Sequence, residues 1–527
     1  MQKLVRYQQT PSKESILSGA LSLTLSTIIV KLLGFFYKIP LSYLLTDEGM
    51  GYFNSAYTIY SFFFVLCSAG VPKAVSLIIS EAEAKNLKNA QRRILSFSFL
   101  LFGAIGLFLS LIVGALCLPL SRLVGIENGA LTLLMLSPTI TFVTLGGVLR
   151  GALSGREMQT PIAISQVIEA LSKLVLGVLL AILGKSMGLS LRIVCALSIL
   201  GITLGSLFSF LYLLSRVRAC MELPRDFHDD VPLKMIAIRL FRILTPVTLS
   251  AALLCLSSIV DLYLIVNRLC AAGYSAADAG RLYGTYSTVA QPMLGAVSAL
   301  VGALTLAALP HLTRQSVLAQ REDRRRLVTL AMRLTLAFTV AVAFAFLFFS
   351  DEIVYLIFPT EMERVGAACL CVCAPSVIFL GILMVVNTVL EAGGLVRAPL
   401  ITTVFGLSFK IPISYFLIAN PDYGILGAPI GTAASYGVSM LAALAIYRKP
   451  HEEEQSPLHG AHGIVLAAGV SSVAARLCLD LIDHGTASFS GSLCAFFLFA
   501  ILYPLLLWCF MGGEITEWRK LSKLPKS

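Results

Sequence analysis

Lys31-Leu32-Leu33-Gly34-Phe35-Phe36-Tyr37-Lys38-Ile39-Pro40 is the stretch that decides the reading of this chain. It lies inside an apolar run from about residue 15 to 45, and about 20 apolar residues are enough for a helix to cross the hydrocarbon of a bilayer. A basic side chain at the bilayer centre costs about 2.5–3.5 kcal/mol even on lenient insertion scales. Two lysines inside one such helix therefore need a reason. They are seven residues apart, so they fall on nearly the same helical face, about two turns from one another. That face reads as a polar stripe turned toward water or an anion. Lys38 is also near enough to the helix end to snorkel to the outer interface.

Outward from this stretch the chain continues in the same manner. It has 527 residues, 57% hydrophobic and 13% charged, with a mean hydropathy of +0.86, whereas soluble domains carry roughly 25% charged residues. Fourteen apolar stretches are long enough to span: 15–45, 52–80, 94–120, 129–153, 161–184, 192–215, 236–266, 282–312, 327–350, 365–390, 399–419, 424–447, 462–482 and 490–512. The expected fold is an all-α integral membrane protein with about 14 transmembrane helices. Lys3, Arg6 and Lys13 ahead of an apolar run resemble a signal peptide. The run is too long for one, holds Lys31 and shows no small-residue cleavage site, so it is expected to be a retained first helix.

The net charge of +11 is distributed in a way that argues against nucleic acid. With residues near stretch ends counted with the connections, one side is assigned 27 Lys and Arg, the other seven, and six are assigned to the apolar interior: Lys31, Lys38, Lys73, Lys173, Arg333 and Lys410. By the positive-inside rule the basic side is cytoplasmic. An even number of spans then puts both termini inside a bacterial cell membrane. Of the 29 acids Glu169 and Asp261 are assigned to the interior in this reading, which is left with an excess of positive charge.

The two halves echo one another. Asp47-Glu48-Gly49-Met50-Gly51-Tyr52 matches Asp278-Ala279-Gly280-Arg281-Leu282-Tyr283 as D-x-G-x-x-Y at an offset of 231; Gly155 and Pro161 match Gly393 and Pro399 at 238; Lys173 matches Lys410 at 237. A duplicated six-helix unit follows, and an even number of spans per unit makes the copies parallel, related by an axis along the membrane normal. The expected division is 1–215 for the first six-helix lobe, 216–235 for a charged cytoplasmic linker, 236–447 for the second lobe, and 448–527 for two further helices and a tail. Pro40, Pro72, Pro246 and Pro292 interrupt the helices that open each half, freeing carbonyls and allowing bends.

Each buried charge carries its own expectation. Lys73, beside Pro72, is about two turns from the cytoplasmic end and within reach of either a cavity or headgroups. Lys173 follows Glu169 by four residues, the favourable order for an intrahelical ion pair. Lys410 has no acid in its own span and lies near mid-membrane, which suits a water-filled cavity. Asp261, beside Tyr263 and Asn267, either pairs with a first-span lysine or is solvated. Arg333 lies two turns from Arg324, Arg325 and Arg326 and reads as a snorkelling residue. The uncompensated cations suit an anion, and phosphate or pyrophosphate is the common anion on a lipid-borne group; lysine binds it as a point charge.

Enzymatic signatures are missing. No G-x-x-x-x-G-K-[ST] phosphate loop occurs, which leaves no direct ATP drive. His451, His459 and His462 sit by Glu452, Glu453 and Glu454 in a polar loop and read as solvated. Cys369, Cys371 and Cys373 alternate around a helix, a packing pattern and not a metal set. No cofactor, metal or catalytic residue is expected, and the short outer loops leave no room for a membrane glycosyltransferase.

The opening stretch, followed by Asp47-Glu48-Gly49-Met50-Gly51 and by Ser68-Ala69-Gly70-Val71-Pro72-Lys73-Ala74-Val75-Ser76, resembles the polysaccharide-biosynthesis flippases of the multidrug/oligosaccharidyl-lipid/polysaccharide exporter superfamily. Within it the likeness is to the stage V sporulation protein B branch, related to the lipid II flippases. The resemblance implies two six-helix lobes forming a V that opens alternately to each side, a central cationic cavity, and helices 13 and 14 extending a groove for a lipid tail. It implies as cargo an anionic, polyprenyl-linked sugar or peptidoglycan precursor, with membrane lipids and a coupling ion as further partners. Lys31 and Lys38 stand at or near the first-span arginines of the lipid II flippases, while Phe62, Phe63 and Phe64 occupy the region of their second-span arginine pair. The alternative is a cation-coupled multidrug exporter of the same superfamily, for which twelve spans and an acid in the first helix would be expected.

Overall fold

Tyr37 and Tyr57 are twenty residues apart in one helical run, α1 (Lys13–Ser68), and a straight helix would separate them by about 30 Å. In the computed structural model the Lys173 ammonium lies 5.0 Å from the centroids of both rings. The chain therefore doubles back between them, and it does so at Thr46, the non-helical residue of α1 (φ 62°, ψ −177°), in a region that β-branched residues rarely enter. The first two apolar stretches become the two limbs of this hairpin. After a bend at Ala69–Gly70 the second limb continues as α2 (Val71–Ala84), with Pro72 in its first turn, where no backbone N–H is required.

The structure describes residues 13–85, 87–220, 232–317, 321–395, 397–448, 461–483 and 489–521, and among these the regular elements are all helical. From α3 (Lys88–Ala115) the chain passes through a short α4 (Cys117–Val124) to α5 (Ala130–Leu136) and α6 (Thr139–Gly155), then to α7 (Gln159–Ser186) and α8 (Leu191–Cys220). After α9 (Leu233–Ala271) and α10 (Ala276–Val317) the same order returns. A long α11 (Arg321–Phe348) leads to a short α12 (Ser350–Ile357), then α13 (Thr360–Val372), α14 (Ala374–Ala392), and a pair α15 (Ala398–Ala419) and α16 (Gly427–Arg448). Pro138 separates α5 from α6 and Pro375 opens α14, so even the break recurs. Two helices close the chain, α17 (Ala461–Asp483) and α18 (Phe489–Leu521).

Twelve segments of the described residues are long and apolar enough to cross a membrane, against fourteen expected. Two places account for the difference. Leu32–Ala84 is one 53-residue segment where the sequence suggests two spans, and α9 has no qualifying window among its described residues. Large apolar side chains such as Leu100, Phe108, Phe416 and Phe497 point outward, as they do when the surroundings are hydrocarbon.

The chain forms two compact units: residues 1–44, 55–123 and 127–259 in the first, 45–54, 124–126 and 260–527 in the second. The boundary between these two units falls inside α9. Its cause is packing: Ile236 and Leu240 of α9 are buried with Val71, Val75 and Leu149, and Arg239 pairs with Glu81 of α2 at 2.5 Å. In the first unit α7 and α8 cross closely through glycine. A Cβ on Gly201 would collide with the backbone of Gly177, and one on Gly177 would come within 2.9 Å of the Ser198 carbonyl, the small-residue contact that lets membrane helices approach.

In the second unit the two copies of the D-x-G-x-x-Y pattern pack on each other. A Cβ on Gly51 would strike the Gly280 carbonyl and one on Gly284 the Asp47 carbonyl; Asn54 donates to Thr288 at 2.8 Å and Arg281 pairs with Glu48 at 3.3 Å. The pattern that marks the repeat in sequence is thus also a contact. At the far end of this unit Arg476 of α17 pairs with Glu352 of α12 at 2.6 Å, and Phe349 packs against Phe496 and Phe499 of α18.

Candidate functional site

Arg150 sits in α6, five residues before its end, and its guanidinium is held on three sides. It donates to Glu169 at 2.7 Å and Ser165 at 3.2 Å, both on α7, and to Ser209 of α8 at 3.0 Å. Glu169, 29% exposed, is thereby neutralised by a neighbouring helix. The expected Glu169–Lys173 pair is not formed. The four-residue rule considers only one helix, and here a better-aligned donor arrives from another.

Lys173 is left facing the cavity that Arg150 and Glu169 help to line. The cavity has a volume of about 460 Å³ and lies wholly within the first unit, between both limbs of α1, α6, α7 and α8. Val30, Gly34, Phe64, Val65 and Ile202 form apolar wall; Ser61, Gln166, Tyr57 and Tyr60 add polar atoms. Gln166 is held by Ser26, which donates to its Oε1 at 3.3 Å. Of the formal charges on the lining, Arg150 and Glu169 cancel and Lys173 remains. Its ammonium lies over the faces of Tyr37 and Tyr57, a cation–π contact that steadies it without removing its charge. Lys38 is half-buried on the first limb of α1.

The other predicted residues are placed differently. Lys410 is buried and reaches Asp261 at 2.5 Å, so it forms a salt bridge inside the second unit and does not stand alone in water. Asp261 is thus held by Lys410 of its own unit. The two are 149 residues apart, and scanning each span for its own counter-charge cannot find such a partner. Lys73 is exposed on α2. The side chain of Lys31 lies outside the described residues, as do His451 and His459. Phe64, from the run that replaces the second-span arginines, is cavity wall.

Arg150 is the residue that sequence reading misses. With only three residues of its estimated span left, it counts among the inner-side charges, as Arg476 counts among the outer ones. Both are inside helices and both meet a carboxylate. The available signal is that each falls within an apolar stretch as drawn, at 129–153 and 462–482.

Comparison with known proteins agrees with this architecture. Stage V sporulation protein B of Bacillus subtilis (strain 168) is 24% identical over 427 residues, 80% of this chain and 81% of the relative. Among solved structures, lipid II flippase MurJ in an inward closed conformation superposes with a TM-score of 0.72 at 16% identity, covering 94% of this chain and 100% of that one. An inward-facing multidrug resistance MATE family transporter of the MOP superfamily gives 0.63 at 15% identity over 83% and 98%. The fold is shared with these solved structures, and the protein is a multi-pass membrane protein. The family model described as polysaccharide biosynthesis protein matches residues 16–316, which include the hairpin at Thr46 and every residue lining the cavity, so the chain belongs to the polysaccharide biosynthesis protein family.

Proposed function

We propose that this protein is a flippase that moves an anionic, polyprenyl pyrophosphate-linked sugar or peptidoglycan precursor from the inner to the outer leaflet by alternating access. The observation that carries this reading is the Lys173 ammonium, which has no carboxylate within ion-pairing distance among the described residues and faces a 460 Å³ cavity of the first unit. A cavity with one uncancelled positive charge attracts a phosphoryl group and discourages a cationic drug. The first helix carries Lys31 and Lys38 where a cation-coupled exporter of the same superfamily would need an acid. Moving an anion out of a negative cytoplasm releases about 2.3 kcal/mol per charge per 100 mV, so the membrane potential supplies direction without ATP. In this reading residues 1–215 and 236–447 act as the two lobes, 216–235 links them, and 448–527 adds the two helices beside the lipid tail.

Reconstitution into liposomes with labelled lipids tests the cargo. A pyrophosphate-linked sugar lipid is expected to reach the outer leaflet, and the same sugar on a neutral lipid is not. Export of an organic cation with no movement of either lipid would favour the multidrug reading.

The orientation proposed, with both termini cytoplasmic, rests on the 27-to-7 asymmetry of basic residues and is tested separately. In a cysteine-free background, single cysteines replacing Glu222 and Gln455, which lie outside the described residues, are expected to react with an impermeant maleimide only from the cytoplasmic side. Labelling from outside would invert the topology.

A further inference from the structure

The lysines at equivalent places in the two repeats are treated differently by their surroundings. Ser26-Thr27-Ile28-Ile29-Val30 aligns with Ser257-Ser258-Ile259-Val260-Asp261 at the same offset of 231 that relates the two D-x-G-x-x-Y patterns, while Lys173 and Lys410 are related by 237. Contacts keep that register to within one residue. Tyr37 abuts Gly177 of α7, and its counterpart Arg268 stacks on Tyr415 of α15, 3.9 Å from the ring centroid. Position 30 in the first repeat therefore corresponds to position 261 in the second.

In the second unit Asp261 meets Lys410 at 2.5 Å with both side chains largely buried, so that site is neutral by construction. In the first unit residue 30 is valine, which lines the cavity, and Lys173 turns to two aromatic rings instead. We propose that the first unit alone holds the phosphoryl anion, and that the absence of a carboxylate at residue 30 is what keeps its site positive. An aspartate there would recreate the self-neutralised arrangement of the second unit. The ligand class is a phosphate or pyrophosphate group, free or lipid-borne. The inference rests on the flippase reading for the lipid-borne case, and the test keeps the two apart.

The full-length protein in detergent would be titrated with inorganic pyrophosphate and, separately, with farnesyl pyrophosphate, with binding followed by calorimetry and folding by thermal melting. The native chain is expected to bind farnesyl pyrophosphate, Val30→Asp to bind it at least 10-fold more weakly, and the near-isosteric Val30→Asn to stay within about threefold of native. Lys173→Met should match Val30→Asp, while the double replacement Asp261→Val with Lys410→Met should leave affinity within about threefold. If Val30→Asp fails to melt cooperatively, this last comparison decides by itself. Equal loss in Val30→Asn and Val30→Asp, or loss in the Asp261/Lys410 double variant with none in Lys173→Met, would overturn the proposal, as would a native chain that binds neither probe. Binding of both pyrophosphates with equal strength identifies a free-anion site. Binding of farnesyl pyrophosphate without movement of any sugar lipid in liposomes sinks the flippase reading and leaves the site standing.

Discussion

Lys173→Met is expected to reduce lipid flipping by about 10- to 100-fold with insertion and yield unchanged. The estimate follows from the loss of one charged contact to an anion, about 1.5–3 kcal/mol where the partner is ionised. Methionine keeps the length and apolar stem of lysine, so the Tyr37 and Tyr57 rings retain a neighbour and the cavity wall is preserved. Lys173→Arg should keep most of the activity, because a guanidinium stacks on aromatic faces and binds phosphate in a fork. Flipping rates of fluorescent lipid-linked sugar in proteoliposomes measure both. Native rates in Lys173→Met would remove the assigned role from this ammonium. A loss equally deep in the arginine variant would mean that shape, and not charge, is what the cavity needs.

The second large effect concerns stability. Asp261→Val strands the Lys410 ammonium in a site where only 11% of its side chain is exposed, and breaking a buried pair from one side costs about 3–5 kcal/mol. Its melting temperature in detergent should fall clearly, by roughly 6–20 °C if the unit behaves as a domain of about 150–250 residues. Replacing both partners, Asp261→Val with Lys410→Met, should restore most of the loss, since apolar substitutes for a buried pair are often neutral or stabilising. Equal destabilisation in the single and double variants would show that side-chain shape outweighs charge there.

These two residues show where sequence reading succeeds and where it stops. That lysines 173 and 410 are equivalent, and that each lies at membrane depth, is legible from apolar length and repeat offset. Their opposite electrical fates are not. The partner of Lys410 is 149 residues away and the partner of Glu169 is Arg150, 19 residues back on another helix. Reading at a spacing of four sees Glu169 beside Lys173 and pairs them; the fold offers Glu169 a guanidinium already oriented by Ser165 and Ser209. The break between the first two apolar stretches is legible in composition, but its exact place at Thr46 and the meeting of Tyr37 and Tyr57 at one ammonium are not.

From its residues alone the chain could be seen to enter a membrane, to repeat itself, and to carry more buried positive than negative charge. Transfer of side chains into hydrocarbon adds up along the chain almost independently of partners, so a linear count is enough for that. Tertiary structure decided which cation meets a carboxylate. Coulombic pairing depends on separation in space, and only packing of α6 on α7 and of α9 on α15 brings Arg150 to Glu169 and Asp261 to Lys410, leaving Lys173 with aromatic faces for company.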